Sequence, residues 1–170
     1  MAEGTPDFRV GHGWDLHRLE PPPPQGNGRP LVIGGVRFEH DHGPVAHSDG
    51  DVLLHAITDA LLGAIAADDL GSLFPDDDDA HESRDSADFI AEARRRIEAA
   101  GWSLVNLDTT VVLQRPRIGP RRGEIRANIA RLLGVDPTRV NVKDKSHERV
   151  DAIGDGRAIA AHAVVLLQRS

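Results

Sequence analysis

The sequence contains no cysteine and no tyrosine, and aromatic residues make up only 4% of its 170 residues. Without cysteine there are no disulfides, no thiolate zinc ligands and no cysteine nucleophile, as is typical of a cytoplasmic protein. No apolar run approaches the roughly 18 residues that a membrane-spanning helix needs. The first seven residues also lack the basic and apolar parts of a secretory signal. We therefore expect a cytoplasmic protein whose core consists mainly of aliphatic side chains.

An excess of basic residues is also missing. Twenty Lys and Arg stand against 27 Asp and Glu, which gives a formal net charge of −7. Because nonspecific nucleic-acid binding needs a basic surface, the composition argues against such a partner. A phosphorylated small molecule stays possible, since a metal ion, backbone N–H groups and a few cations bind phosphate locally.

The pattern of strands and helices predicts a single domain over residues 1–170, with a core at about 8–168 and a flexible segment at 1–7. Residues 20–30 contain four consecutive prolines and predict a surface loop. The expected fold class is α+β, an αβ sandwich with a mixed β-sheet packed against helices. Periodicity predicts strands at 8–16, 104–114 and 139–143, a hairpin or bent strand pair at 31–33 and 36–38, and helices after Ser48, at 86–100 and at about 120–133. Residues 157–168 fit either a helix or a strand, and their Val-Val-Leu-Leu end favours a strand.

Three residues form a candidate metal site. Asp15 and His17 are two positions apart on a predicted strand, so their side chains share a face. His55 lies among apolar residues on the helix after Ser48. One carboxylate and two imidazoles suit a catalytic zinc, which keeps one coordination position free. Each residue alone has a simpler explanation, because Asp-x-His is common at solvated strand ends and a lone helical histidine is commonly no ligand.

The segment before that helix carries a second group of polar residues. His47 and Ser48 precede a helix N-terminus, which attracts anions. Ser48 and Asp51 have the spacing of a capping box, so Ser48 is expected to be the N-cap. Asp49 and Asp51 are either carboxylates of the first helical turn or partners that orient a ligand histidine.

Three later loops have polar or charged residues. Arg115 and Arg117 lie in a proline-rigidified segment that either holds a phosphate or base, or is a solvated basic turn. Residues 143–148 combine lysine, hydroxyl and carboxylate groups, and Glu148 is a candidate Mg²⁺ ligand. The four aspartates at 76–79 alone predict a solvated loop.

Together these motifs resemble those of the 2-C-methyl-D-erythritol 2,4-cyclodiphosphate synthase family. The most distinctive is Ala-His-Ser-Asp-Gly-Asp at 46–51, followed by His55. The opening Arg-Val-Gly-His-Gly-Trp-Asp-Leu-His at 9–17 and the segments at 69–76, 108–116 and 140–143 appear in the family's order. The resemblance extends from about Arg9 to Leu167, nearly the whole chain.

The resemblance implies a phosphorus-oxygen lyase of the non-mevalonate route to isoprenoids. In the family's reaction, the 2-phosphate of 4-diphosphocytidyl-2-C-methyl-D-erythritol 2-phosphate attacks the β-phosphorus of the same molecule. The product is the 2,4-cyclodiphosphate, and CMP leaves. The family also implies a homotrimer with active sites at subunit boundaries. Attack within one molecule depends on positioning and charge neutralisation more than on a strong base.

The resemblance also implies roles for individual residues. Asp15, His17 and His55 would hold Zn²⁺, and Glu148 with the substrate's diphosphate would hold Mg²⁺ or Mn²⁺. His47 and Ser146 match the transition-state stabilisers, with serine where many members have threonine. By this resemblance the acidic loop would line a sugar pocket rather than face solvent. The expected substrate contacts are Asp15, Leu16, His17, His47, Ser48, His55, Asp69, Leu70, Gly71, Phe74, Pro75, Asp76, Asp77, Asp78, Leu113, Gln114, Arg115, Pro116, Arg117, Ile118, Gly119, Lys145, Ser146, His147 and Glu148.

Two other function classes use the same residues. A zinc-dependent hydrolase of a phosphorylated metabolite would use the three metal ligands with a general base such as Asp51. A non-catalytic metabolite-binding trimer would have no need of the metal. Intact Asp15, His17 and His55 argue against the second of these.

Overall fold

The computed structural model describes residues 7–74 and 83–170. The expected flexible segment at 1–7 lies almost wholly outside these ranges, as do Pro75, Asp76, Asp77 and Asp78 of the acidic loop. The described elements are strands β1 (Phe8–Glu20), β2 (Leu31–Ile33), β3 (Val36–Phe38), β4 (Gly43–Pro44), β5 (Trp102–Val112), β6 (Val140–Lys145) and β7 (Ala158–Arg169), and helices α1 (Val52–Ala64), α2 (Leu70–Leu73), α3 (Ser86–Ala99), α4 (Arg122–Leu133) and α5 (Asp151–Gly154).

The strands form one five-stranded mixed sheet in the order β4-β1-β7-β5-β6, and a separate β2-β3 hairpin. Strands β5 and β6 are parallel, whereas β1, β7 and β5 are antiparallel neighbours. This confirms the expected mixed sheet packed against helices. Within the described ranges no helix has the length and apolar character needed to cross a membrane.

Helix α1 lies across β1 and β7 and is almost completely buried. Helix α3 packs against α1, and its buried residues Phe89, Ile90, Ala93 and Ile97 share one apolar face. Helix α4 packs against β6 and ends at Gly134, whose φ of 69° suits glycine. The core is aliphatic, as the composition predicts.

Two glycines of β1 allow α1 to approach the strand closely. A Cβ atom on Gly11 would lie 1.8 Å from the carbonyl oxygen of Ala60, and one on Gly13 would lie 1.9 Å from that of Ala56. No other residue type fits either position without moving the helix or the strand. Because alternate strand residues share a face, Asp15 and His17 lie on the same face of β1 as the two glycines, the face that packs against α1.

The structure corrects several predicted boundaries. Strand β1 extends to Glu20 rather than residue 16, so Asp15 and His17 both lie inside a regular strand. The N-cap of α1 is Asp51 and not Ser48, because Asp51 accepts the N–H groups of Leu53 and Leu54. Gly50, with a φ of 75°, separates Ser48 from the helix start. The C-terminal segment, which had both helix and strand character, is the central strand β7.

Candidate metal centre and substrate cavities

Asp15, His17 and His55 converge at one point between β1 and α1. Asp15 Oδ2 lies 3.1 Å from His17 Nε2 and 3.0 Å from His55 Nδ1. The two imidazole nitrogens are 3.1 Å apart. The predicted ligand set is therefore assembled within one chain, and the three atoms form a nearly equilateral triangle.

These separations fit a single small cation. A tetrahedral zinc with bonds of about 2.0–2.1 Å separates its ligand atoms by about 3.3–3.4 Å. Shifts of a few tenths of an ångström would bring the three donors to that spacing. Two imidazoles and a carboxylate are also the donor types found in catalytic zinc sites, and a fourth position would face the adjoining cavity.

The carboxyl of Asp15 is held in its ionised form. Burial by itself would raise its pKa, but the neighbouring imidazoles of His17 and His55 outweigh burial and hold the pKa well below its usual value of 3.8. An ionised carboxylate is the form that binds a metal. The fold therefore prepares this donor before a cation arrives.

The second ring nitrogen of His55 contacts two hydroxyl groups. His55 Nε2 lies 2.9 Å from Ser86 Oγ and 3.2 Å from Ser48 Oγ. The Ser86 hydroxyl in turn donates a short hydrogen bond to Asp49 Oδ1. Ser86 and the His55 ring are both buried, so these hydrogen bonds lie in the protein interior.

Asp51 has a structural role, because it joins the β2-β3 hairpin to the start of α1. Its side chain is fully buried and accepts N–H groups from Gly34 at 2.9 Å, Gly35 at 2.6 Å, and Leu53 and Leu54 at the start of α1. Burial raises the pKa of this carboxyl, while the backbone donors oppose the rise. Asp51 ties the β2-β3 hairpin to α1 and does not contact the cavity.

Arg29 fixes the loop that carries His47 and Ser48. Its guanidinium donates to the carbonyl of Ala46 at 2.8 Å, to the carbonyl of His47 at 3.0 Å, and to Ser83 Oγ at 2.9 Å. Because this loop borders the metal group, Arg29 places His47 beside it.

A cavity of about 350 Å³ opens beside the three ligands, a size that suits a small metabolite. Its walls include His47 and Ser48 from the predicted set, together with Leu70, Gly71 and Phe74. Asp69 lies next to these as the N-cap of α2. Leu16 is 43% exposed and, as the residue between Asp15 and His17, faces the other side of the sheet.

A second cavity, of about 390 Å³, lies between the loop after β5 and the loop after β6. Most of the residues that line this cavity are predicted substrate contacts, and Asp144 and Arg149 line it as well. Gln114 Oε1 is buried there without a hydrogen-bond partner among the described residues. The predicted residues that line it are Leu113, Gln114, Arg115, Pro116, Arg117, Ile118 and Ser146.

Four other predicted contacts are sequence neighbours of the lining residues but do not line the cavity themselves. These are Gly119, Lys145, His147 and Glu148. Ser146 Oγ donates to Glu148 Oε1 at 3.0 Å. Glu148 and Arg149 have φ values of 49° and 62°, which are uncommon for residues with side chains and often occur at functional loops. No Asp, Glu or His of the described ranges joins Glu148 in a metal-binding group.

The two cavities share no lining residue within the part of the chain that the structure describes. The predicted contacts thus fall into two sets, one around the metal ligands and one around Ser146. Sequence motifs alone gave no reason to divide them.

Several residues of these sites were not predicted from the sequence. Asp59 lines the first cavity and lies one helical turn after His55, a spacing that could have revealed it. Burial raises the pKa of its carboxyl. Ser86, Phe89 and Arg29 carry no comparable signal, because they reach the site from distant parts of the chain.

Comparisons with known proteins identify the family of this chain. The YgbB family model matches residues 8–168. A 2-C-methyl-D-erythritol 2,4-cyclodiphosphate synthase of Bordetella avium is 49% identical over 165 residues, which are 97% of this chain and 98% of the relative. The chloroplastic synthase of Catharanthus roseus is 54% identical over 95% of this chain, and the chain spans 66% of that relative's length.

Solved structures show the same fold. An IspF of Plasmodium falciparum, in complex with CDP, superposes with a TM-score of 0.84 at 33% identity and covers 98% of this chain and 99% of its own. In the bifunctional IspDF of Campylobacter jejuni, the chain matches 42% of the longer protein with a TM-score of 0.88, at 34% identity over 96% of this chain. Because the family model spans nearly all of the chain and a relative of matching length is 49% identical, the chain belongs to the YgbB family, that of the 2-C-methyl-D-erythritol 2,4-cyclodiphosphate synthases.

Proposed function

We propose that the protein converts 4-diphosphocytidyl-2-C-methyl-D-erythritol 2-phosphate to 2-C-methyl-D-erythritol 2,4-cyclodiphosphate and CMP. An oxygen of the 2-phosphate forms a bond to the β-phosphorus, and the bond from that phosphorus to the bridging oxygen of CMP breaks. The reaction belongs to the non-mevalonate pathway of isoprenoid biosynthesis. The convergence of Asp15, His17 and His55 beside a metabolite-sized cavity carries this proposal.

Each part of the chain contributes a different function in this reaction. Asp15, His17 and His55 hold Zn²⁺, and the bound cation would neutralise charge on the diphosphate and orient it. His47, at the mouth of the same cavity, stabilises the charge that develops at phosphorus. Asp69, Leu70, Gly71 and Phe74 bind the methylerythritol part, and the proposed sugar contact continues into 75–78.

The second cavity would bind the cytidine and phosphate end of the substrate. The unpartnered acceptor of Gln114 suits a ligand with N–H donors, and Arg115 and Arg117 suit phosphate. Ser146 would donate to a phosphate oxygen, and Glu148 would help to hold Mg²⁺ or Mn²⁺ on the diphosphate. The strained backbone at Glu148 fits a loop that is shaped for a ligand.

A homotrimer would unite these cavities at subunit boundaries. Within one chain they are separate, yet one substrate must touch both the metal ligands and Ser146. The sheet face opposite the helices also exposes five large apolar side chains, as an interface does. These are Phe8, Val10, Trp14, Leu16 and Val164.

The zinc hydrolase alternative loses its proposed base. Asp51 is fully buried and its oxygens accept four backbone N–H groups, so it cannot reach a water in the cavity. We also propose a cytoplasmic location, in line with the lack of cysteine. The excess of acidic residues supports a small-molecule substrate rather than nucleic acid.

One incubation tests the proposed reaction. Purified protein with Zn²⁺ and Mg²⁺ is mixed with the diphosphocytidyl substrate, with and without EDTA, and CMP and the cyclic product are measured. We expect equal amounts of both products, and their loss with EDTA. Inorganic phosphate or a linear product would indicate a hydrolase instead. Absence of CMP with both metals present would overturn the proposal, and turnover that is insensitive to EDTA would overturn its metal dependence.

A further inference from the structure

We infer that Ser86, held by Asp49, is a positioning residue that fixes the protonation pattern of the His55 ring, so that Nδ1 is free to bind the cation. Ser86 lies at the start of α3 and contacts the Nε2 edge of the His55 ring, whereas Asp15 contacts Nδ1. It contacts neither the cavity nor Asp15, so it acts only through His55.

The direction of the hydrogen bonds follows from the donors around Asp49. Asp49 Oδ2 accepts the backbone N–H of Ser86 at 3.0 Å, and Oδ1 accepts that of Asp51 at 3.1 Å. A carboxylate only accepts, so the Ser86 hydroxyl donates its single proton to Asp49. The lone pairs of Ser86 Oγ are then left for His55 Nε2, 2.9 Å away, which must be the N–H donor.

A neutral imidazole carries one ring proton, so a proton on Nε2 leaves Nδ1 with a lone pair. This matters because Asp15 Oδ2 is 3.0 Å from Nδ1 and would otherwise favour a proton there. The Asp49–Ser86 pair competes with Asp15 from the opposite edge of the ring. Metal-binding histidines commonly have such a partner on the second nitrogen, and its loss typically lowers metal affinity about 10–100-fold.

The Ser86 hydroxyl is not needed to begin its own helix. Asp85 is the N-cap of α3, and its side chain accepts the N–H of Ala87 at 2.8 Å. Ser86 is nevertheless completely buried, with its hydroxyl aimed at His55 and Asp49. Ser48 is a weaker partner of the same nitrogen, because it is 3.2 Å away and also accepts the N–H of Gly50.

The inference rests on the metal site of the proposed function but not on its reaction, so zinc binding itself is the measurement. Zinc affinity is determined by chelator competition for wild type, Ser86→Ala, Ser86→Thr and Ser103→Ala. Ser103 is a strand hydroxyl on β5, bonded only to a backbone carbonyl, and provides the matched control. We expect an affinity loss of about 10–100-fold in Ser86→Ala, recovery in Ser86→Thr, and no change in Ser103→Ala.

NMR of the zinc-loaded protein gives a second readout. The His55 Nε2 proton should be protected from exchange in wild type and in Ser86→Thr, and should exchange fast in Ser86→Ala. Wild-type affinity and an unchanged proton signal in a folded Ser86→Ala would overturn the inference, leaving the proposed function intact. A wild-type protein that binds no zinc would overturn both.

Discussion

The two cavities of this chain are built in different ways. The first lies between a regular strand and a buried helix, and its ligands Asp15, His17 and His55 already contact one another. The second lies between two loops, where Glu148 and Arg149 have left-handed backbone conformations and Ser146 is bonded to Glu148. The metal group is thus assembled by folding of one chain, whereas the second cavity is lined by loops and, in our proposal, is completed by a neighbouring subunit.

The largest expected effect is at the first cavity. His55→Ala removes one of three ligands, so bound zinc should be lost and turnover should fall roughly 1,000-fold or more, since a catalytic metal contributes several kcal/mol. Zinc content is measured by metal analysis and turnover by CMP release. Because the ring is at the protein interior, folding is checked by circular dichroism. Unchanged zinc stoichiometry would show that the ligand assignment is wrong.

Ser146→Ala tests the second cavity in the same assays. The hydroxyl lies away from the three metal ligands, so the variant should keep its zinc while turnover falls about 10–100-fold, as expected for the loss of one donor to a developing charge. The informative result is the difference in zinc content between the two variants, since only His55→Ala should lose its zinc. A variant with wild-type kcat would remove Ser146 from the catalytic set.

Gly13→Ala tests whether close packing assembles the metal group. The added methyl would meet the backbone of Ala56, so strand and helix must separate. We expect destabilisation of about 1–3 kcal/mol in urea unfolding and weaker zinc binding, because His55 moves with the helix. Gly123→Ala is the control, since its Cβ would enter open space on α4. Equal stability and zinc affinity in both variants would contradict the packing argument.

The smallest effect concerns His147 beside the second cavity. The carboxylate of Asp151, whose Oδ2 lies 2.9 Å from His147 Nδ1, raises the pKa of the imidazole above its usual 6.5. A raised histidine pKa stabilises the folded protein below the unfolded-state pKa, and the gain is lost as pH rises through the folded-state value. Asp151→Asn should lower the His147 pKa toward 6.5 in an NMR titration. An unaltered His147 titration in the variant would contradict the assigned pair.

Much of the architecture could be predicted from residue patterns. The period of α3, the two short strands at 31–33 and 36–38 and the shared face of Asp15 and His17 are local properties, and all are confirmed. Ser48 was wrongly expected as the N-cap because Asp51 is equally suited by type. The left-handed Gly50 decides between them, and a sequence does not display a backbone angle.

The residues of the candidate site could be predicted from the sequence, but their separation into two cavities could not. The spacing of Asp15, His17 and His55 indicates a shared face, and the structure brings their donor atoms within 3.1 Å. Nothing in the spacing reveals that Ser146 lies at another cavity, because spacing along the chain does not show which loops border one cavity in the folded chain. Ser86 reaches His55 only through the packing of α3 on α1, a tertiary contact without a local signal.

The central claim is that the two cavities are complementary halves of one active site. The direct test is to refold an equimolar mixture of His55→Ala with a Ser146→Ala/Glu148→Ala variant, each inactive alone, and to measure CMP release. In randomly mixed trimers, about one boundary in four would combine both intact halves, so about a quarter of wild-type activity should return. Activity no higher than the sum of the separate variants, in mixtures that contain mixed trimers by mass spectrometry, would contradict the claim.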